Sequence, residues 1–309
     1  MSSVAIIDIG SNSIKVLVAK RAATGRLESV LSKTIDARIS AGISRAEPRL
    51  SEEGMVRGLA AIQELLADVV PVSPQKIVLV ATSAVRDALN GEEFRQRVAA
   101  ATGHTIRILT GDEEANFIGR GLTCDRALEH LRNFYVFDLG GGSLEALAFR
   151  EHRIVRAQSF QLGCVRLTER FIAETTAPVS VTARQNIQDH TRTTFATSSF
   201  AFDLPAGAEA VGTGGTLTTA RAIFAARQDR PLHTSSAFLP VSALRALLEE
   251  TAAMSLEERR KIAGLPAARA DVFPAALAVF SAVAELGGFQ GFPHSLHNLR
   301  WGLAAELLG

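Results

Sequence analysis

The sequence contains two copies of one short pattern, and this repeat constrains the fold more than any other feature. Residues 4–10, VAIIDIG, form an apolar run that ends in Asp-x-Gly, and residues 134–140, FYVFDLG, repeat it. Small residues follow in both copies, and a second apolar run then begins. Two apolar runs joined by a tight turn predict a β-hairpin. The copies lie about one domain length apart, which predicts two similar domains facing each other.

Helix and strand patterns alternate between the two hairpins. Apolar residues at helical spacing follow Ser51, a candidate N-cap with Glu52 and Glu53 in the favoured first turn. Such alternation predicts α/β layers. The remaining segments are predicted as strands over 76–82 and 105–109 and as helices over 91–102 and 112–131, the last as one or two helices.

The second half repeats this order less regularly. Residues 209–224, EAVGTGGTLTTARAIF, predict a strand, a glycine-rich turn and a helix. We expect domains over 1–125 and 126–309, with the last helix able to pack back on the first domain. The other segments are predicted as a helix after Pro178, a helical pair over 240–265, an apolar helix over 271–287, a loop or short strand over 290–297 and a terminal helix.

Charge and cysteine content exclude several classes of protein. Among 309 residues, 33 Lys and Arg balance 32 Asp and Glu, which argues against a general nucleic-acid or membrane-surface binder. A polyanionic substrate would then require positive charge concentrated in one cleft. Cys124 and Cys164 lie far apart, so we expect reduced thiols and neither a disulfide nor a structural zinc site. No signal peptide or membrane span is indicated, and we expect a soluble cytoplasmic protein.

The first turn, with Ser11, Asn12 and Ser13, is a candidate phosphate-binding turn. Successive backbone N–H groups in a tight turn of small residues can form a hollow that fits a phosphate oxygen, and the side chains can add donors. Asp8, at the end of the incoming strand, is a candidate metal ligand through a bound water. An ordinary polar hairpin is the alternative interpretation of the same residues.

The second turn, with Gly140, Gly141, Gly142 and Ser143, is a stronger candidate because three glycines leave the backbone accessible. Two such turns on facing domains would hold successive phosphates from both sides. Asp138 precedes this turn, and Glu145 on the outgoing strand points to the same face as Ser143. These two acids could therefore share a divalent cation, directly or through water.

Three further segments carry weaker signals. The acidic run 112–114 lies at a predicted helix start, where negative charge is favourable in any case, and one of its acids could be a general base. Arg86 follows a strand end and could neutralise phosphate charge, or could form a surface pair with Asp87. The glycine turn 212–216 could bind a phosphate or a nucleotide, although it lacks the P-loop ending.

Taken together, these motifs resemble those of the exopolyphosphatase and guanosine pentaphosphate phosphohydrolase (Ppx/GppA) family. The resemblance implies an α/β fold with two ribonuclease-H-like domains of the acetate kinase–Hsp70–actin superfamily and an interdomain cleft. It matches the short form without the helical extension of longer members. The matching stretches cover nearly the whole chain in the family's order: DIGSNSIK, ATSAVRDALN, GDEEA, DLGGGSLE, SFQLGCVRLTERF, GTGGT, RADV and NLRWGL.

The resemblance also implies roles for individual residues. Glu114 matches the catalytic base, although Glu113 next to it is the alternative. Asp138 and Glu145 match the acids that position metal and water. The implied phosphate-binding residues are Ser11, Asn12, Ser13, Arg38, Arg86, Gly140, Gly141, Gly142 and Ser143. The candidate nucleotide-binding residues are Gly212, Thr213, Gly214, Gly215 and Thr216.

Two positions depart from the family's usual pattern. Leu144 stands where a threonine is usual, which removes one hydroxyl near the metal. Residues 38–40 read Arg-Ile-Ser where Arg-Leu-Gly is usual, which puts the role of Arg38 in question.

The expected activity is metal-dependent hydrolysis of the terminal phosphoanhydride of linear polyphosphate, with Mg²⁺ or Mn²⁺ as the cofactor. One alternative is guanosine pentaphosphate 5′-phosphohydrolase activity, and another is a non-catalytic nucleotide or alarmone sensor. A sugar or acetate kinase would need an acceptor pocket, for which no residues are evident. We expect a homodimer, since this is the ordinary state of soluble oligomers.

Overall fold

A computed structural model describes residues 2–44 and 46–309 of the chain. It divides into two compact units, each described by itself below. The first unit contains the residues up to His130 together with His297–Gly309, and the second contains Leu131–Leu296. The functional domain boundary at 125/126 stays a prediction.

The first unit is built on a five-stranded mixed sheet. Its order is β3-β2-β1-β4-β5, in which β1, β2 and β3 are antiparallel neighbours and β1, β4 and β5 are parallel neighbours. The hairpin of β1 and β2 confirms the first predicted hairpin. The strands are β1 (Ser3–Ile9), β2 (Ile14–Arg21), β3 (Leu27–Ile35), β4 (Lys76–Ala81) and β5 (Ile106–Ile108).

Four helices of the first unit lie between or after these strands: α1 (Glu52–Val69), α2 (Ser83–Arg86), α3 (Gly91–Thr102) and α4 (Gly111–Leu122). The predicted N-cap is confirmed, because the Ser51 hydroxyl accepts a hydrogen bond of 3.0 Å from the backbone N–H of Gly54. Apolar side chains of α1 and α3 pack on one face of the sheet, including Ile62, Leu65 and Phe94.

The second unit repeats the arrangement with a four-stranded sheet of order β8-β7-β6-β9. Here β6, β7 and β8 are antiparallel neighbours and β9 is parallel to β6. A separate two-stranded sheet pairs β10 with β11. The strands are β6 (Phe134–Leu139), β7 (Leu144–Arg150), β8 (Arg153–Phe160), β9 (Glu209–Thr213), β10 (Phe238–Pro240) and β11 (Gly291–Pro293).

Among the helices of the second unit, α10 packs against α6 and α8, and α7 packs against β9. The core of this unit is rich in aromatic rings around Tyr135 and Phe137. The helices are α5 (Cys164–Phe171), α6 (Val181–Ala196), α7 (Gly215–Arg227), α8 (Val241–Ala253), α9 (Leu256–Arg259) and α10 (Phe273–Gly287).

The last helix, α11 (Leu299–Leu307), belongs to the first unit, where it packs against α4 and β1. Gly302 makes a close approach to α4 possible, because a Cβ there would overlap the backbone carbonyl of Phe117. The two related sheets confirm the predicted α/β fold with two ribonuclease-H-like domains. No helix in the described part of the chain is long and apolar enough to cross a membrane.

Candidate active site

The first turn connects β1 to β2, and its carbonyl groups are held from one side. The backbone N–H and the hydroxyl of Ser40 donate to Ser11 O at 3.3 and 3.1 Å, and the backbone N–H of Arg38 donates to Asn12 O at 2.9 Å. In a trans peptide the N–H points away from the preceding C=O. The N–H groups of Asn12 and Ser13 therefore point away from these donors, as a phosphate-binding turn requires.

The Asn12 side chain adds a donor to the same turn. Arg38 Nε donates to Asn12 Oδ1 at 3.2 Å, and since Nε can only donate, it fixes which end of the amide faces it. Asn12 is 4% exposed, and its Nδ2 is buried without a hydrogen-bond partner. Leaving a buried donor unsatisfied costs about 1–3 kcal/mol, which an anionic ligand oxygen would recover.

Asp8 occupies the end of β1 beside Lys15, its cross-strand partner on β2. Burial raises the pKa of Asp8, and the positive charges of Lys15 and Arg300 oppose this effect. Arg300 lies on α11 and donates to the backbone carbonyl of Val16 on β2 at 3.0 Å. The end of β1 thus combines a carboxyl group with two cationic side chains of the same unit.

Arg86 and Glu114 form a largely buried ion pair in the first unit. Arg86 Nη1 lies 2.9 Å from Glu114 Oε2, and the Glu114 side chain is only 8% exposed. The same guanidinium donates to Leu109 O at 3.0 Å and lies 3.4 Å from the Asp87 carboxylate. The predicted Arg86–Asp87 contact therefore exists, but it is part of a larger cluster. Arg86 compensates the charge of a glutamate that is otherwise removed from water.

Glu113, the alternative base, has a different environment. It closes a capping box at the start of α4, accepting the Thr110 N–H at 2.8 Å while the Thr110 hydroxyl accepts the Glu113 N–H at 3.1 Å. The Thr110 N–H and the Arg107 guanidinium hold the pKa of Glu113 below its ordinary value. The Glu113 carboxylate is committed to the cap of α4 and to an exposed ion pair, so the surroundings favour the more buried Glu114 as the candidate base.

The second turn connects β6 to β7, and the start of α5 holds its carbonyl groups. The N–H groups of Cys164 and Val165 donate to Gly140 O and Gly141 O at 3.0 and 2.9 Å. Arg166 Nε donates to Gly142 O at 3.1 Å. The N–H groups that follow these carbonyls in the chain, from residues 141–143, therefore point away from α5.

Gly163 makes this arrangement possible. A Cβ at this position would overlap the backbone of Gly141 and Gly142, so only glycine allows α5 to begin so close to the turn. Gly163 belongs to the stretch SFQLGCVRLTERF, which matches the family. This stretch thus has a structural role at the second turn.

A row of polar side chains crosses the second sheet next to this turn. Asp138 on β6 pairs directly with Glu145 on β7 and with Thr213 on β9, and Glu145 pairs with Ser159 on β8. Direct partners share one face, about 4.5–5.5 Å apart at Cβ. The Ser159 hydroxyl donates to Glu145 Oε1 at 2.7 Å. Two carboxylates and two hydroxyls therefore share one face of the sheet.

The corresponding row in the first sheet differs at one position. There Lys15 is the cross-strand partner of Asp8, whereas Glu145 is that of Asp138. Only the second unit places two carboxylates side by side in this row. Its donors are all oxygens, which suits Mg²⁺ held by one or two carboxylates together with substrate oxygens and water. Among residues 2–44 and 46–309, no three His, Cys, Asp or Glu side chains converge on a cation site.

Leu144 is fully buried in the second unit. Its cross-strand partners are Leu139 and Phe160, and successive side chains of a strand point to opposite faces. Leu144 therefore faces away from Glu145.

The glycine turn of residues 212–216 lies next to Asp138. Gly214 has φ of 88°, and a Cβ there would overlap the Asp138 carboxylate, so glycine is required for both reasons. The guanidinium of Arg269 packs directly on Gly215 at the start of α7, where a Cβ would overlap it. This turn is thus adjacent to the carboxylate row, and Arg269 brings a positive charge to it.

The predicted site residues fall into two groups, one in each unit. The first unit contains Asp8, Ser11, Asn12, Ser13, Arg38, Arg86 and Glu114, and the second contains Asp138, Gly140, Gly141, Gly142, Ser143, Glu145, Gly212, Thr213, Gly214, Gly215 and Thr216. The predictions did not include Ser159, Arg166 or Arg269. All three lie in stretches that match the family, Ser159 and Arg166 in SFQLGCVRLTERF and Arg269 in RADV, but the resemblance assigned them no role.

The two sheets, each with a strand-end aspartate beside a small-residue turn, define an α/β protein with the actin-like ATPase fold. The chain belongs to the Ppx/GppA phosphatase family, a family of phosphoanhydride hydrolases, because the model of that family matches residues 17–307.

Curated relatives and solved structures agree with this family. The chain is 30% identical to "Exopolyphosphatase 2" of Mycobacterium tuberculosis over 100% of this chain and 99% of that protein. It is 28% identical to "Guanosine-5'-triphosphate,3'-diphosphate pyrophosphatase" of Aeromonas salmonicida over 99% of this chain but 59% of that protein. The crystal structure of an exopolyphosphatase from Cytophaga hutchinsonii superposes with a TM-score of 0.86 at 22% identity, covering 99% of this chain and 98% of that one.

Proposed function

We propose that the protein is an exopolyphosphatase that hydrolyses the terminal phosphoanhydride of linear polyphosphate and releases orthophosphate. The buried Glu114 carboxylate, paired with Arg86 at 2.9 Å, is the observation that carries the proposal. In this role Glu114 accepts a proton from the attacking water. The two turns bind phosphoryl oxygens through backbone N–H groups, and Arg86 offsets negative charge.

The carboxylates of Asp138 and Glu145 would hold Mg²⁺ or Mn²⁺. A role for Asp8 as a further ligand through water stays a prediction from the sequence. When bound, the ion would neutralise charge on the phosphoryl oxygens. The oxygen-only donor row in the second unit and the hydroxyl that Ser159 donates to Glu145 support this assignment.

The choice of polyphosphate rests on the extent of the similarity. The chain matches the mycobacterial exopolyphosphatase over essentially the full length of both proteins, whereas it spans 59% of the Aeromonas pyrophosphatase. Guanosine pentaphosphate 5′-phosphohydrolase activity is the second candidate. The positive charge that Arg269 brings to the glycine turn beside Asp138 is the feature that favours this second candidate.

Substitution of the two neighbouring glutamates tests the proposed base. Glu114→Gln should lower kcat for phosphate release by about 10²–10⁴, because the water loses its proton acceptor. Binding of polyphosphate, measured by isothermal titration calorimetry, should change little. Glu113→Gln is the matched control, since glutamine still completes a capping box and should leave turnover near that of the wild type. Near-wild-type turnover of folded Glu114→Gln would refute the assignment.

A non-catalytic sensor makes the opposite prediction. It would bind polyphosphate or a guanosine polyphosphate without releasing phosphate, and Glu114→Gln would then change nothing that can be measured as turnover.

A further inference from the structure

Residues 37–40, the segment after β3, adopt a backbone conformation that their own sequence does not favour. Arg38 has φ of 39°, in the left-handed region, although it is not glycine. This conformation is disfavoured for any residue with a Cβ. It persists only where the surrounding structure holds it, and such positions are common at ligand-binding sites.

Arg57 on α1 holds this segment. Its Nε donates to Ala37 O at 3.0 Å, and its Nη2 donates to Arg38 O at 3.0 Å. The planar guanidinium presents two donors at fixed spacing, so it can bridge two successive carbonyl groups. Arg57 therefore fixes the peptide groups on both sides of the Arg38 Cα.

Two glycines on α1 allow the segment to approach the helix closely. A Cβ at Gly54 would lie 2.9 Å from Ile39 O, and a Cβ at Gly58 would lie 2.8 Å from Ile39 Cγ2. Two glycines one helical turn apart thus let the segment rest directly on the helix. Arg57 lies between them in the sequence and reaches across to the carbonyl groups.

The segment in turn fixes the first turn. Arg38 holds Asn12 at two atoms, the backbone carbonyl at 2.9 Å and the side-chain Oδ1 at 3.2 Å. As a result, the buried Asn12 Nδ2 is held in one orientation without a partner in the protein. The contacts therefore run from Arg57 through Arg38 to an unsatisfied donor of the candidate phosphate-binding turn.

We propose that Arg57 is a positioning residue of the first turn, which sets the turn's affinity for a phosphoryl group through Arg38 and Asn12. It does so without touching the ligand. The inference deepens the proposed function and rests on it for the identity of the substrate.

Arg57→Met tests the proposal, because it removes both donors and keeps much of the aliphatic stem. We expect KM for polyphosphate and Kd for inorganic phosphate to rise about tenfold, with kcat within about twofold of the wild type. Arg57→Lys, with one compact donor group in place of the fork, should give a smaller rise and serves if the first variant is unstable. Arg97→Met is the matched control, since Arg97 is an exposed arginine whose partners are the side chains of Glu52 and Glu93.

A double-variant cycle separates positioning from a general effect on folding. In an Arg38→Met background, the effect of Arg57→Met on Kd for phosphate should fall to about threefold or less, because the Arg38 guanidinium no longer orients the Asn12 side chain and only the backbone N–H of residue 38 still contacts Asn12. A full tenfold effect in that background would overturn the proposal. So would an unchanged KM and Kd in folded Arg57→Met.

Failure of the proposed function would look different. If the wild type releases no phosphate from polyphosphate but binds inorganic phosphate more tightly than Arg57→Met, the role of Arg57 stands and the assigned substrate does not. If hydrolysis stands and Arg57→Met binds phosphate like the wild type, the inference alone fails.

Discussion

At the scale of single residues, Asp8 is a predicted site residue whose charge lowers the stability of the fold. Its side chain is half-buried at the end of β1, and desolvation raises its pKa despite Lys15 and Arg300. A carboxyl group whose folded pKa is raised stabilises the fold below its unfolded pKa, and this contribution is lost as pH rises through the folded pKa. At neutral pH, ionised Asp8 therefore lowers the stability of the fold.

Asp8→Asn should raise Tm at pH 7 in the presence of a chelator, because the amide carries no charge to desolvate. The difference from the wild type should shrink as pH falls toward the unfolded pKa of Asp, about 3.9. Phosphate release with Mg²⁺ should fall in the same variant. Thermal melts across this pH range test the prediction, and a lower Tm at pH 7 would contradict it.

The positions of the turn residues and strand-end acids could be predicted because their motifs are local, and their roles stay predictions. The distinction between Glu113 and Glu114 could not, since it depends on which one α4 uses as a cap and which one meets Arg86. The role proposed for Arg57 could not be predicted from the sequence for a related reason. Its partners are backbone carbonyls of a segment about twenty residues away in the sequence. Leu144 stands where the family usually has a threonine, and its side chain lies on the face of β7 opposite that of Glu145.

At the scale of elements, each of the two candidate phosphate-binding turns is held by the segment that follows the third strand of its own unit. After β3, Arg38 and Ser40 supply the donors, and after β8 the first N–H groups of α5 do so. Residues 38–40 read Arg-Ile-Ser where the family usually has Arg-Leu-Gly. The serine fits the structure, because the Ser40 hydroxyl donates an additional hydrogen bond to Ser11 O.

Gly163→Ala tests the dependence of the second turn on α5. The added methyl group overlaps the backbone of residues 141–142, and such overpacking typically costs about 1–3 kcal/mol. We expect a lower Tm together with a loss of at least about tenfold in kcat/KM, since displaced N–H groups no longer fit the phosphoryl oxygens.

Gly207→Ala is the control for that experiment. Gly207 has φ of 85° with nothing within 4 Å of an added Cβ, so alanine strains the backbone without touching the turn. This variant should lose stability, by about 1–2 kcal/mol, but keep its activity. Equal activity losses in both variants would contradict a specific role for Gly163.

The hairpins and most helices could be predicted because their apolar patterns are strong. The residue pattern did not indicate β3 or β8, since both are edge strands with polar, partly exposed faces. Where the first sheet continues from β4 to β5, an isolated parallel bridge in the second unit joins Gly212 on β9 to His294.

At the scale of the whole molecule, the repeated hairpin gave the correct class of fold, and the ordered motifs gave the correct family. The placement of α11 in the first unit depends on its packing against α4 and β1, which its own helical pattern does not encode. The sequence also does not define the substrate, because both candidate substrates present the same terminal phosphoanhydride. The homodimer stays a prediction.

Phosphate release with Mg²⁺ therefore tests the central claim most directly. Short-chain polyphosphate, long-chain polyphosphate and guanosine pentaphosphate should be compared at matched concentrations of terminal phosphate, with Glu114→Gln as the inactive reference. We predict that kcat/KM is highest for polyphosphate and falls by about 10²–10⁴ in the variant. Preferential hydrolysis of guanosine pentaphosphate, or no phosphate release from any of the three, would contradict the exopolyphosphatase assignment.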